Sequence, residues 1–307
     1  MITSFFDTSK PIHLVIAGIF ILILLIVSSI ESVETLFTIE NFQSIFLRYG
    51  ALLSSVLVLS FFVNKNGLTE KNSYNILFYC LLLMLIPNVI ADTSIIWANF
   101  FVILSIRRII SLRNNLRIKK KLFDAAFWIT IGSLFYFWSI LFLVIVILAL
   151  IMFSIGQIKN WIIPFSALVV VVIILVSINI IFTDSFGSIF DYFLSVNFDI
   201  TNYNSLNFII PISIFLSLGV WATFFYIKKF KEKARAYRPA FSLVVVSLII
   251  SLLIVGIAPS KNGNEFLFSL APMAIIMSNY IESVNEKWFK EIYVWLIAIT
   301  PLLLLLL

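Results

Sequence analysis

Residues 119–155 read KKKLFDAAFWITIGSLFYFWSILFLVIVILALIMFSI, and how often this stretch crosses a membrane decides the fold. From Leu122 to Ile155 the only charge is Asp124. A single helix of that length would rise about 51 Å at 1.5 Å per residue, far beyond a hydrocarbon core about 30 Å thick. The stretch must therefore break, and the basic sequence around it says how. Arg107, Arg108, Arg113, Arg117, Lys119, Lys120 and Lys121 form one acid-free cluster. Lys228, Lys229, Lys231, Lys233, Arg235 and Arg238 form a second, against the single acid Glu232. Lys and Arg in short loops between spans stay cytoplasmic, so an even number of crossings separates the two clusters. Ile162–Phe182 and Phe208–Ile227 supply two. The long stretch then supplies two more, turning near Phe137–Ser139.

Working outward, apolar segments fall near 12–30, 46–63, 75–91, 94–110, 122–136, 139–155, 161–182, 208–227, 240–257, 265–281 and 291–307. They predict an all-α, polytopic transmembrane helix bundle of about eleven spans, one integral membrane domain over 1–307, with a cytoplasmic N-terminus in a cell inner membrane. Composition agrees: 62% of residues are hydrophobic and 12% charged, with a mean hydropathy of +1.12, against roughly 25% charged in soluble domains. The net charge of +6 sits beside spans and is topological, so membrane lipids are the expected partner and nucleic acid is not. Protein partners are not indicated.

One cysteine, Cys80, allows no intramolecular disulfide, and one histidine, His13, excludes zinc sites built from His and Cys. No phosphate loop, dinucleotide fingerprint or nucleophile motif occurs, and no cofactor is identified. Two outer loops predict short interfacial helices. In the first, Leu36, Ile39, Phe42 and Phe46 recur at helical spacing; in the second, Phe186, Ile189, Phe190 and Phe193 do.

Charges near hydrocarbon are scarce, and those at the outer span ends are the candidate site residues. Asp92, in Ile90-Ala91-Asp92-Thr93-Ser94, is either a helix N-cap or a catalytic carboxylate. Glu31 and Glu34 share a face if the first helix continues, either as solvated headgroup-level acids or as an acid–base pair able to hold Mg²⁺. Lys261 and Glu265 lie in a charged outer loop, and Asp191 and Tyr192 in a polar, aromatic one. These four are the expected substrate-binding residues, and Asp92, Glu31 or Glu34, and Lys261 with Glu265 are expected to converge on one outward-facing polar cavity below the loop 183–207. Asp124 is expected to pair with Lys120 or Lys121.

Two stretches carry a resemblance. KKKLFDAAFWITIGSLFYFWSILFLV, Lys119 to Val144, resembles a segment of polytopic GT-C glycosyltransferases in which a basic cytoplasmic loop leads into two short spans. APSKNGNEFLFSLAPMAIIMSNYI, Ala258 to Ile281, resembles their later segment, where a charged outer loop enters a Pro-containing span. The whole chain also looks like an uncharacterised family of flavobacterial polytopic inner-membrane proteins. The GT-C resemblance implies transfer of a sugar from a lipid-phosphate donor at the outer face. Lys261 would hold phosphate, and Asp92 or the Glu31/Glu34 pair would deprotonate the acceptor, with Mg²⁺ or Mn²⁺ as an option. Two other readings stand beside it: a non-catalytic scaffold of an envelope-assembly complex, which needs no convergent polar cavity, and a transporter, which predicts inverted repeats and broken helices.

The parity argument has a direct test. Single cysteines at Ser111 and Ala234 should react only with reagents that reach the cytoplasm, and cysteines at Ser188 and Asn262 only with impermeant reagents outside. Labelling of positions 111 and 234 from opposite sides would overturn the even-crossing rule and the turn at Phe137–Ser139.

Overall fold

The computed structural model describes residues 1–29, 39–153, 155, 157–183 and 196–304. Among them there is no strand. The helices are α1 (Ile2–Phe6), α2 (Pro11–Ser28), α3 (Ile39–Asn66), α4 (Tyr74–Leu85), α5 (Thr93–Ile110), α6 (Ile118–Phe135), α7 (Leu143–Met152), α8 (Ile158–Thr183), α9 (Leu206–Glu232), α10 (Arg238–Ile257), α11 (Leu267–Ser283) and α12 (Lys287–Leu304). From α2 onward each falls on one of the expected apolar segments. Seven are long and apolar enough to cross a membrane, counting α11 with the 3₁₀ turn Asn264–Phe266 before it. The fold is that of a multi-pass membrane protein.

Local chemistry sets the breaks. Pro11 opens α2 at a first-turn position, where its missing N–H costs nothing. Pro87 forces Ile86 into an extended conformation (φ −95°, ψ 122°), so α4 stops at Leu85. Asn88 then turns the chain in the left-handed region at φ 58°, which Asn tolerates better than most residues. In the long apolar stretch, α6 ends at Tyr136, which is extended (φ −145°, ψ 106°). A 3₁₀ segment, Phe137–Phe142, leads into α7, so the turn sits where charge parity put it.

The core is a helix pair. α11 packs against α4, α9 and α10, and 89% of its span is buried, against 17% for the peripheral α8. Every residue from Leu267 to Ile281 is buried. Small residues Ser269, Ala271, Ala274 and Ser278 let neighbours approach. The Ser278 hydroxyl donates to the Ala274 carbonyl at 2.6 Å, so its burial leaves no open polar atom. α4 is buried nearly throughout, and a helix of its length rises only about 18 Å. So short a helix cannot span a hydrocarbon core alone, and it is held by the protein packed around it.

The bundle has a basic end. The Arg113 guanidinium lies 4.0 Å over the Tyr237 ring and donates to the Asn66 carbonyl at 2.7 Å. The two basic clusters are thus neighbours. The 66–73 connection joins them, with Asn72 Nδ2 donating to Glu282 at 2.7 Å. So does the N-terminus: His13 Nδ1 is 2.8 Å from Ser73 Oγ, and Glu291 accepts from Thr3 N at 2.8 Å. The loops 86–92, 136–142, 196–204 and 258–266 gather at the opposite end.

Two local expectations differ, and one is untouched. Ile39, Phe42 and Phe46 open α3 itself instead of forming a separate helix, because no proline interrupts the run to Asn66 and Gly50 is tolerated within it; Leu36 lies outside the described residues. The second expected interfacial helix, Phe186–Phe193, also lies outside them. Asp124 pairs with Arg108 at 3.1 Å, not with Lys120 or Lys121, because Lys121 turns back to the Ser111 carbonyl.

Gly263 locks the loop end of the core. Its φ is +96°, and a Cβ there would come within 2.5 Å of the Pro87 carbonyl oxygen. Gly263→Ala should destabilise the purified protein by more than the roughly 1–2 kcal/mol of a left-handed backbone alone. Gly256→Ala, with nothing within 4 Å, should leave the melting temperature unchanged. Equal melting temperatures for the two variants would show that the 86–92 and 258–266 loops do not meet as described.

Candidate functional site

At the loop end, the 3₁₀ turn Asn264–Phe266 carries Glu265 into the interior, where it is fully buried. Neither carboxylate oxygen has a hydrogen-bond partner among the described residues. The amides of Asn262, Gly263 and Glu265 itself turn toward the carboxylate, but none reaches hydrogen-bond geometry, and no cation pairs with it. The positive end of α11 favours an acid here. That compensates part of the cost of burying a charge, which without a partner is several kcal/mol.

The same helix supplies the comparison. Glu282, at the other end of α11, has a side chain only 3% exposed. It accepts from Glu70 N at 2.9 Å and Asn72 Nδ2 at 2.7 Å and lies 3.9 Å from Lys229 Nζ. One end of α11 holds a fully satisfied carboxylate and the other an unsatisfied one. In the segments at this loop end other polar atoms are also buried without partners among the described residues: the hydroxyls of Tyr136, Ser139 and Tyr203, Asn264 Oδ1 and Arg48 Nε. Native interiors leave few such groups, and a cluster of them marks an unfilled role.

Packing holds these groups in place. The Tyr136 ring stacks on Phe268 of α11 with centroids 5.7 Å apart, and both Glu265 and Asp92 lie within electrostatic reach of its phenol. Tyr203 packs edge-on to Phe266 at 5.9 Å. Its segment is fastened to the end of α10 by Asn197, which donates to the Pro259 carbonyl through Nδ2 at 3.3 Å. Beside it opens a cleft of about 570 Å³, walled by Ile200, Ile209, Ile212, Val255 and Phe266. Arg48, near the start of α3, reaches the carbonyls of Ile90 and Ala91, both at 3.4 Å, which sets it against the Asp92 loop.

The residues expected from sequence are placed as follows. Asp92 is the N-cap of α5: its Oδ1 accepts from Ser94 N at 2.7 Å and Ile95 N at 3.4 Å. It shares with Glu265 the neighbourhood of Tyr136. Lys261 is buried, and its ammonium donates to the Val255 and Gly256 carbonyls at 2.6 and 2.7 Å, closing the C-terminus of α10. Burial pulls its pKa below the usual lysine value. Glu31, Glu34, Asp191 and Tyr192 lie outside the described residues. No group of three or more His, Cys, Asp or Glu side chains gathers as a metal site among the described residues.

Sequence reasoning gave no site role to Arg48, Tyr136, Ser139 or Tyr203. The Asn262-Gly263 pair signalled a turn before Glu265 but not its inward course.

The caps give separable predictions. Asp92→Asn should leave stability unchanged and Asp92→Ala should cost about 1 kcal/mol, since Asn caps as well as Asp. Lys261→Met should cost roughly 1–3 kcal/mol by stripping two helix-terminal carbonyls of their donor. Thermal unfolding in detergent measures both; a neutral Lys261→Met would deny the cap.

No curated protein and no solved structure matches the chain. Residues 6–306 match a family of unknown function (DUF6427). The match covers nearly the whole sequence, and the chain belongs to that family.

Proposed function

We propose that the chain is an inner-membrane transferase that moves a sugar or a similar group from a lipid-phosphate donor, with Glu265 as the general base. In this reading eleven segments cross the membrane, α4 being continued by residues 86–91 and α7 preceded by the 3₁₀ segment Phe137–Phe142, since neither helix is long enough alone. The basic end and the N-terminus face the cytoplasm, as the Lys/Arg rule requires, and the site faces outward. The observation that carries the proposal is the contrast along α11. Glu282 has three partners, whereas Glu265, equally enclosed, has none among the described residues and shares its end of the bundle with the unpartnered Tyr136 hydroxyl. A buried acid held without a partner is costly, so its retention points to a task.

The chemistry follows from the surroundings. An acceptor hydroxyl gives its proton to Glu265 while its oxygen bonds to the anomeric carbon of the donor. The bond from that carbon to the phosphate oxygen breaks, and the lipid phosphate leaves with the electron pair. We assign the phosphate charge to Arg48, whose Nε is unpartnered among the described residues and which lies against the Asp92 loop, in place of Lys261. The Tyr136 and Ser139 hydroxyls orient the sugar. The apolar cleft beside Tyr203 suits the first units of a lipid chain. Asp92 shapes the rim and adds a second negative charge near the reacting centre.

Glu265→Gln decides between this reading and a scaffold. The variant removes a buried charge without changing shape, so thermal stability should hold or rise. Turnover of a polyprenyl-phosphate-linked sugar in vesicles should fall by roughly 10²–10⁴-fold, the usual loss of a general base, and the variant should not complement a deletion strain. Full complementation by Glu265→Gln would sink the transferase and leave the scaffold.

A further inference from the structure

The basic end holds a second cleft, of about 700 Å³, between the start of α6 and the connection from α7 to α8. Arg117, Lys119 and Lys120 line it. All three are exposed, and none forms an ion pair among the described residues. No side chain caps the first amides of α6. Such a terminus presents unpaired N–H groups and a partial positive charge, the elements of an anion site.

An independent observation lies across the cleft. Asn160, in the first turn of α8, lines the same space and is only 3% exposed, yet its Oδ1 has no partner among the described residues. A buried carboxamide oxygen needs a donor, and the cations opposite do not reach it. Phosphate satisfies the helix terminus and the lysines but brings no donor at this distance. A hydroxyl does. If the amide is turned about its last bond, the NH₂ group donates to the same ligand instead. Phe153 and Ile155 give the cleft one apolar wall.

The geometry points to a binding site for a phosphate ester that carries free hydroxyls. The phosphate sits on the α6 N-terminus between Lys119 and Lys120, and a hydroxyl bonds Asn160. Two sources share this chemistry: the phosphoglycerol headgroup of an anionic lipid and a soluble polyol phosphate. The site is separate from the carboxylate end and does not rest on the transferase reading.

The test uses the full chain in detergent and measures binding of short-chain phosphatidylglycerol, phosphatidic acid and phosphatidylcholine, with glycerol 1-phosphate as competitor. Phosphatidylglycerol should bind tightest, phosphatidic acid more weakly for want of headgroup hydroxyls, and phosphatidylcholine weakest. Asn160→Ala should lose about fivefold for phosphatidylglycerol, the worth of one hydrogen bond, and nothing for phosphatidic acid, which also shows that the variant is folded. The exposed pair Lys119→Gln and Lys120→Gln should lose about twentyfold for both anionic lipids, near fivefold per cation. Displacement by glycerol 1-phosphate assigns the site to the polar group alone, and lack of displacement assigns it to the lipid. Equal binding of phosphatidylglycerol and phosphatidylcholine would overturn the site. So would an unchanged lipid preference in Asn160→Ala, or full affinity in the double glutamine variant.

Discussion

The enclosure of α11 is the constraint on which the rest depends. A helix packed among α4, α5, α9 and α10 and buried over 89% of its span cannot be held by apolarity alone, since lipid tails are as apolar as leucine. It is held by close packing of small residues and by polar bonds that find no competitor inside. Asn279 Nδ2 illustrates this, donating to Leu68 O and to Ile275 O, both at 2.9 Å. The first bond ties α11 to the 66–73 connection, and through it to both basic clusters. α11 therefore fixes the basic end from within and presents Glu265 at the other end. Of the seven span-like helices it is the least apolar, which is the signature of burial in protein and not in lipid.

Segment existence was legible in the sequence because membrane spans are long and charge-poor. The turn after Tyr136 was legible because parity of basic loops is a counting argument that local propensity cannot disturb. Other features turn on distances that sequence does not carry. Lys261 reads as a free outer cation until the chain reversal at 258–260 returns its ammonium to α10. Asp124 follows three lysines, but its partner is Arg108, because α5 and α6 pack closely enough that a Cβ on Gly132 would touch the Ala98 carbonyl at 3.2 Å. The five-residue α1 has no apolar run to announce it. Its amides are satisfied by Glu291, far along the chain.

Burial of Glu265 is the least legible feature and the most consequential. In sequence, Lys261-Asn262-Gly263-Asn264-Glu265 looks like a solvated loop, and a loop ordinarily stays at the surface because its backbone needs water. Here the loop descends into the bundle because Gly263 fits under the Pro87 carbonyl where no larger residue would. The same Pro87 ends α4. One proline thus shortens a core helix and provides the surface on which the acid-bearing turn rests.

That coincidence explains why the polar groups collect at one end. α4 stops at Leu85 and α6 at Phe135, and α7 begins only at Leu143. Several helices end at the loop end of the core and leave room that apolar helix does not fill. Irregular backbone enters that room: the 86–92 turn, the 136–142 segment and the 258–266 loop. Non-helical chain at membrane depth persists only where protein encloses it or where it lines a cavity. Enclosure lets the Asp92 cap and the Lys261 ammonium satisfy the ends of α5 and α10 beside these segments. It does not account for the Glu265 carboxylate or the Tyr136 and Ser139 hydroxyls. An interior that satisfies a carboxylate three ways at one end of a helix is able to satisfy one at the other, and the unpaired groups at Glu265 are best understood as facing a ligand.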